Sequence, residues 1–233
     1  MKSRTTSAIV VLLAFAIIAG WDVAAAAGNR RTIISFGGSN VERGSGRMVT
    51  EQRNIGSFDR IESNIGADIM VSIGATQSVS LTYDDNLIGY VTTKVRGRKL
   101  VIESSRSFSS SSDCQIKIVV PRLEEVSVGG SGKIEVVGLD ADRFSVEIDG
   151  SADVVASGEV GELVIEVNGS GNVDTRDLVA GEATVEINGS GDVSVMARDY
   201  LTATVNGSGD IVYTGNPSQV VKNVEGSGRI RRR

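Results

Sequence analysis

Carboxylates recur along this chain at a spacing that invites a cation. Asp153, Asp192 and Asp210 each stand three residues after the first glycine of a Gly-Ser-Gly or Gly-Ser-Ala tripeptide. Glycine-rich nonapeptide loops bind calcium with such acids, but they supply ligands every nine residues or so. Here the same column also holds Lys133, Asn172 and Arg229, and a cation column would not alternate with cationic side chains. No metal or other cofactor is therefore expected. Glu147, Glu166 and Glu186 form a second acidic series, three residues before the same glycine. Stacked on an outward face they would attract a cation or a basic partner, although plain solvation explains such a stripe more simply. Catalytic chemistry finds little material. The chain has no histidine, so it has no Ser-His or Cys-His pair. Asp84 with Asp85 is the tight acidic pair, and capping of a short helix accounts for it. Cys114 reads as a small buried residue at a strand start, and a lone cysteine closes no internal disulfide. The Asn-Gly-Ser triplets match a glycosylation acceptor, but repeated copies at tight corners read better as turns. The chain is expected not to be an enzyme.

The elements that carry these residues are written by the tripeptide itself. It begins at Gly130, Gly150, Gly169, Gly189, Gly207 and Gly226, a period of about nineteen residues. Two residues before each start stand Val128, Ile148, Val167, Ile187, Val205 and Val224. Four before stand Val126, Val146, Ile165, Val185, Ala203 and Lys222, and four after stand Ile134, Val154, Val173, Val193, Ile211 and Ile230. Apolar residues at alternate positions on both sides of a turn predict half-buried strands, with a unit of strand, tight turn, strand, second turn. An antiparallel meander with Asn-Gly hairpin tips is one arrangement of such units. Stacked units are preferred, because whole columns repeat, including Asp149, Asn168, Asn188 and Asn206. Identical small residues pack well at the spacing of neighbouring strands, and asparagine tolerates a sharp corner. The expected fold is thus all-β, a parallel β-solenoid with units of about nineteen residues. Gly130, Gly150, Gly169, Gly189, Gly207 and Gly226, with Asn168, Asn188 and Asn206, are its expected structural corners. Lys222 and Arg231 to Arg233 make a polar last unit, as an open sheet edge requires.

Ahead of the repeats, residues 47–121 keep the strand grammar without the tripeptide. Strands are expected at Ile65–Ile73, Val79–Tyr83, Leu100–Glu103 and Gln115–Val120. A short helix is expected over Asp84–Val91, capped by an aspartate, with Leu87, Ile88 and Val91 facing the sheet. Ser107–Ser112 is expected to be a mobile low-complexity loop. Lys2 and Arg4, the apolar run Ala8–Gly20 and the small residues Ala24–Ala27 have the order of a secretory signal peptide. Residues 1–27 are read as that signal, cleaved rather than retained as an anchor, and residues 28–46 as an irregular lead-in. No later segment is apolar enough to cross a membrane. A net charge of −5 without a basic face excludes nucleic acid as the expected partner.

Arg53-Asn54-Ile55-Gly56-Ser57-Phe58-Asp59-Arg60-Ile61 resembles the opening of the putative auto-transporter adhesin head domain, the GIN-type domain. Asp85-Asn86-Leu87, the strand ending Val119-Val120-Pro121 and the Gly-Ser-Gly corners after Leu123 are similar to that family too. The resemblance covers residues 50–229. It implies a single-stranded right-handed parallel β-helix over residues 47–233, less regular to 121 and regular from 122. It also implies an exported bacterial protein without catalytic residues, periplasmic, associated with the outer membrane or secreted. The expected function is a non-enzymatic envelope or surface protein, an adhesion or binding scaffold for a glycan or an envelope protein. The alternative is a carbohydrate-active enzyme using a carboxylate pair, for which corners of a few residues leave no material to wall a cleft.

Overall fold

The structure is a computed structural model that describes residues 41–233. The expected signal peptide, and the lead-in as far as residue 40, lie outside the described residues. Strands of the first part are β1 (Glu42–Arg43), β2 (Met48–Gln52), β3 (Arg60–Ser63), β4 (Gly66–Ile73) and β5 (Ser78–Asp84). They continue with β6 (Val91–Arg96), β7 (Lys99–Ser104), β8 (Phe108–Ser109) and β9 (Gln115–Val120). The repeated part supplies β10 (Glu125–Val128), β11 (Ser131–Ile148), β12 (Asp153–Val167), β13 (Val173–Ile187) and β14 (Val193–Val205). It ends with β15 (Ile211–Thr214), β16 (Gln219–Val224) and β17 (Ile230–Arg232). All but β1 and β8, which pair with each other, belong to one 15-stranded sheet.

Alternation decides which side chains go inside. Val126, Val146, Ile165, Val185 and Ala203 are buried, and so are Val128, Ile148, Val167, Ile187 and Val205 two residues on. These residues meet one another across strands: Val146 pairs with Ile165, and Ile165 with Val185, in parallel register. Ile134, Val154, Val173, Val193 and Ile211 fill a third buried column. Burying each such side chain contributes about 1.5–3 kcal/mol, so the columns are the main store of stability. The same core runs on through Ile69, Val71, Leu81, Ile116 and Ile118 of the first part.

A uniformly parallel, single-stranded right-handed β-helix is not what the sheet is. β2 pairs antiparallel with β5, β5 antiparallel with β9, and β6 antiparallel with β7, so the orientation is mixed. The physical reason is local. Gly97 and Arg98 alone connect β6 to β7, Gly97 sits at φ +65°, and so short a loop can only reverse the chain. Without repeated columns, nothing obliges successive strands of the first part to run the same way. The corrected fold is an all-β, 15-stranded mixed sheet in which β10 to β17 pair in parallel.

Three smaller expectations change as well. β11 to β14 run for 13 to 18 residues straight through the expected second turn, which survives as register shifts such as that between Val136 and Leu139. The expected helix is a 3-10 turn over Ile88–Tyr90 with no side-chain cap, although Leu87, Ile88 and Val91 are buried as expected. The serine-rich loop is tied down: Phe108 and Ser109 form β8, and the Phe108 ring centroid lies 5.7 Å from that of Tyr83.

Candidate functional site

Stacking in register converts each sequence column into a physical row. The corner row is built from the tripeptides. Ser151, Ser170, Ser190, Ser208 and Ser227 each donate their backbone N–H at 3.0 Å to the carbonyl of the glycine that opens the preceding tripeptide. A Cβ built on Gly150, Gly169, Gly189 or Gly207 would lie 1.9–2.0 Å from that carbonyl oxygen, far inside contact distance. On Gly130 it would meet the Ile65 carbonyl at 2.3 Å, and on Gly226 the Gly207 carbonyl at 2.2 Å. Beside the glycines, Asn206 donates its side-chain amide to Asn188 at 2.8 Å, Asn188 to Asn168 at 2.9 Å, and Asn168 to Asp149 at 3.0 Å. Asn188 and Asn168 therefore both give and receive along the row, between Asn206 as donor at one end and Asp149 as acceptor at the other. Asn64 and Gly129 extend the row below, a continuation the sequence reading missed; a Cβ on Gly129 would lie 2.6 Å from Asn64 Oδ1.

The aspartate column works as backbone capping. Asp153 accepts from the Asn172 N–H at 3.1 Å, Asn172 from Asp192 at 3.0 Å, Asp192 from Asp210 at 2.8 Å and Asp210 from Arg229 at 3.0 Å. Lys133 donates its N–H to Asp68 but offers no side-chain acceptor to Asp153, so the row is interrupted at that step. Only residues with a short acceptor can hand the bond to the next unit, which explains Asp and Asn here without a cation. Among the described residues no group of three or more His, Cys, Asp or Glu is placed to hold a metal.

Outward positions of β10 to β14 and β16 form a flat face. Ser127, Glu147, Glu166, Glu186, Thr204 and Asn223 line up strand to strand in one row. Neighbouring strands lie about 4.8 Å apart, so these carboxylates repel unless something relieves them. Asn168 donates to Glu166 at 3.0 Å and Asn206 to Glu186 at 3.3 Å, while Arg143 pairs with Glu162 at 2.9 Å two rows away, beyond Ser145, Val164, Thr184 and Thr202. Tyr200, paired with Glu182 and 44% exposed, puts an aromatic ring on the same face. The sequence reading missed it because its unit is a residue short of the period. The face offers carboxylates, threonine hydroxyls and one ring, a chemistry suited to holding a polar partner.

The remaining candidate acids are engaged elsewhere. Asp84 is buried and accepts from the Gly46 N–H at 2.6 Å and from the Ser110 hydroxyl. Asp85 accepts from Ser45 and Arg47, which together hold its carboxyl below the ordinary carboxylate value, the Ser45 hydroxyl most strongly. The pair thus ties residues 45–47 to the sheet and caps no helix. Cys114 is buried, and desolvation pushes its thiol up to about 12. A surface hollow of about 430 Å³ is lined by Ser57, Asp59, Gln77, Arg98 and Arg122, with the Asp59 carboxylate paired to Arg98.

A family model described as "putative auto-transporter adhesin, head GIN domain" matches residues 57–217. No curated protein matches the chain. Among solved structures, a putative adhesin from Bacteroides fragilis NCTC 9343 aligns with a TM-score of 0.64 at 21% identity, over 82% of this chain and 99% of that one. A putative lipid binding protein from Parabacteroides distasonis ATCC 8503 aligns with a TM-score of 0.54 at 24% identity, over 82% and 98%. A putative adhesin from the same organism gives 0.51 at 21%, over 83% and 100%. At these identities the likeness is one of fold.

Proposed function

Because the chain belongs to the family described as putative auto-transporter adhesin, head GIN domain, we propose that it is a non-enzymatic binding scaffold of the bacterial envelope or surface. Its flat β-face meets the partner, which is a glycan or an envelope protein. The single observation that supports this is the outward row Glu147, Glu166, Glu186 and Thr204 in parallel register, on the face that also carries the exposed ring of Tyr200 two rows away. Three stacked carboxylates with hydroxyl and aromatic neighbours accept hydrogen bonds from many donors at once. In this reading residues 1–27 are a cleaved export signal, and residues 47–233 form the binding unit. The corner residues, from Gly130 to Gly226 with Asn168, Asn188 and Asn206, are structural and touch no ligand. Among the described residues no helix is long and apolar enough to cross a membrane.

The test uses cell fractions and arrays of envelope glycans and envelope proteins. Export of the full chain to the envelope, with binding that Glu166→Lys and Tyr200→Ala both weaken, is the expected result. Retention in the cytoplasm, or cleavage of any member of a panel of cell-wall and capsular polysaccharides by purified protein, would overturn it.

A further inference from the structure

The end of the sheet formed by β16 and β17 is unlike the rest of the molecule. Among the described residues β16 pairs only with β14, and β17 only with β15, so the far edge of each carries unpaired backbone groups. Every residue of β16 is exposed. Val220 and Val224 are 37% and 43% exposed, although their counterparts Leu201 and Val205 are buried, and Val221, opposite the exposed Thr202, is 60% exposed. Lys222 alone turns back over the core, with its ammonium 4.7 Å from the Tyr213 ring centroid. A long apolar edge normally recruits another strand unless charge or a cover prevents it.

Charge selects the occupant. Lys222, Arg229, Arg231, Arg232 and Arg233 surround this edge against a single acid, Glu225. Arg229 is paired with Asp210 at 3.2 Å, whereas Arg231, Arg232 and Arg233 have no carboxylate partner among the described residues. Two copies meeting through this edge would set like charges together, which costs several kcal/mol. The opposite edge strand, β6, also carries Lys94 and Arg96, so head-to-tail stacking gains nothing. The chain's own lead-in bears Arg30 and Arg31 and is excluded on the same ground.

We propose that the β16–β17 edge accepts an extended acidic segment of a partner protein, which adds as a strand while its carboxylates meet the terminal arginines. Main-chain hydrogen bonds supply affinity in such strand addition, and side chains at alternate positions supply selectivity. This interface uses the free backbone edge of β16 and β17 rather than the outward side chains of the flat face, which ends on β16, and it does not depend on what that face binds. The experiment titrates the full mature chain with a short labelled peptide alternating valine with glutamate, and with its counterpart carrying lysine in place of glutamate. The acidic peptide is expected to bind about tenfold or more tighter, to weaken as salt rises, and to lose that advantage with Arg231→Glu/Arg233→Glu. Hydrogen exchange on the wild-type complex reads the same interface without any variant, as slowed exchange in residues 219–224. Equal binding of both peptides, or tight binding without protection there, would overturn the proposal. So would a self-associating dimer that protects those amides in the absence of peptide, which assigns the edge to a second copy. Binding to phosphatidylglycerol vesicles in preference to the peptide would assign it to a membrane surface instead.

Discussion

From β10 onward every strand pairing is parallel, and what holds neighbours together is sameness. Aliphatic side chains meet aliphatic ones, the corner glycines Gly150, Gly169, Gly189 and Gly207 stack on one another, and Asn168, Asn188 and Asn206 bond in sequence. In the first part, antiparallel pairs alternate with parallel ones, and the contacts are singular. There Asp84 gathers the Gly46 amide and the Ser110 hydroxyl, and Phe108 lies between Tyr83 and Tyr90, at centroid distances of 5.7 Å and 6.4 Å. One apolar interior serves both regions. The difference teaches that a common core can be closed either by a repeated corner or by individually fitted side chains. The two solutions should fail differently when perturbed.

The largest expected difference is at glycine. Gly169→Ala drives a methyl into the Gly150 carbonyl at 1.9 Å and is expected to cost about 3 kcal/mol or more in denaturant unfolding. Gly56→Ala, in the first part with nothing within 4 Å of the new methyl, is expected to stay within about 0.5 kcal/mol of wild type. Equal losses would erase the contrast between the regions. Next comes the amide ladder. Asn188→Ala removes the bonds to both Asn168 and Asn206, each exposed, and is expected to cost about 1 kcal/mol. Slowed or unchanged exchange at the neighbouring corner amides would contradict a structural role for the row.

The smallest effect belongs to the first part and appears only in acid. Asp85 is held below the ordinary value of 3.8 by Ser45 and Arg47. Its folded-state preference for the charged form therefore stabilises the protein fully above that value, and is lost as pH falls through the folded value. Thermal melts of wild type and Asp85→Asn are expected to differ near pH 6 and to draw together as pH falls below 3.8 through the depressed folded-state value. A gap that persists in acid would assign the difference to packing rather than to charge.

Much of the repeated part was readable from column chemistry. As far as β15 the three apolar columns lie inside as their alternation requires, while Val224 in the last unit is exposed. Strand direction in the first part was not readable, because alternation of period two is the same for parallel and antiparallel partners. Only the short Gly97 loop carried the signal. The binding face was half readable. Glu147, Glu166 and Glu186 announce themselves by spacing, but Tyr200 does not, since its place opposite Glu182 depends on a register shift between Ala180 and Glu182. Nor did a basic tail reveal the valines of β16 as exposed, which depends on β16 having no neighbour beyond β14 among the described residues.

Register has a last consequence, for length. Excising residues 169–188 would join Asn168 to Gly189 and regenerate the Asn-Gly that opens every other corner nearby. The shortened chain meets itself through surfaces already complementary, so this architecture can grow or shrink by whole modules. Misaligned recombination between such modules would yield a different reach rather than a broken fold.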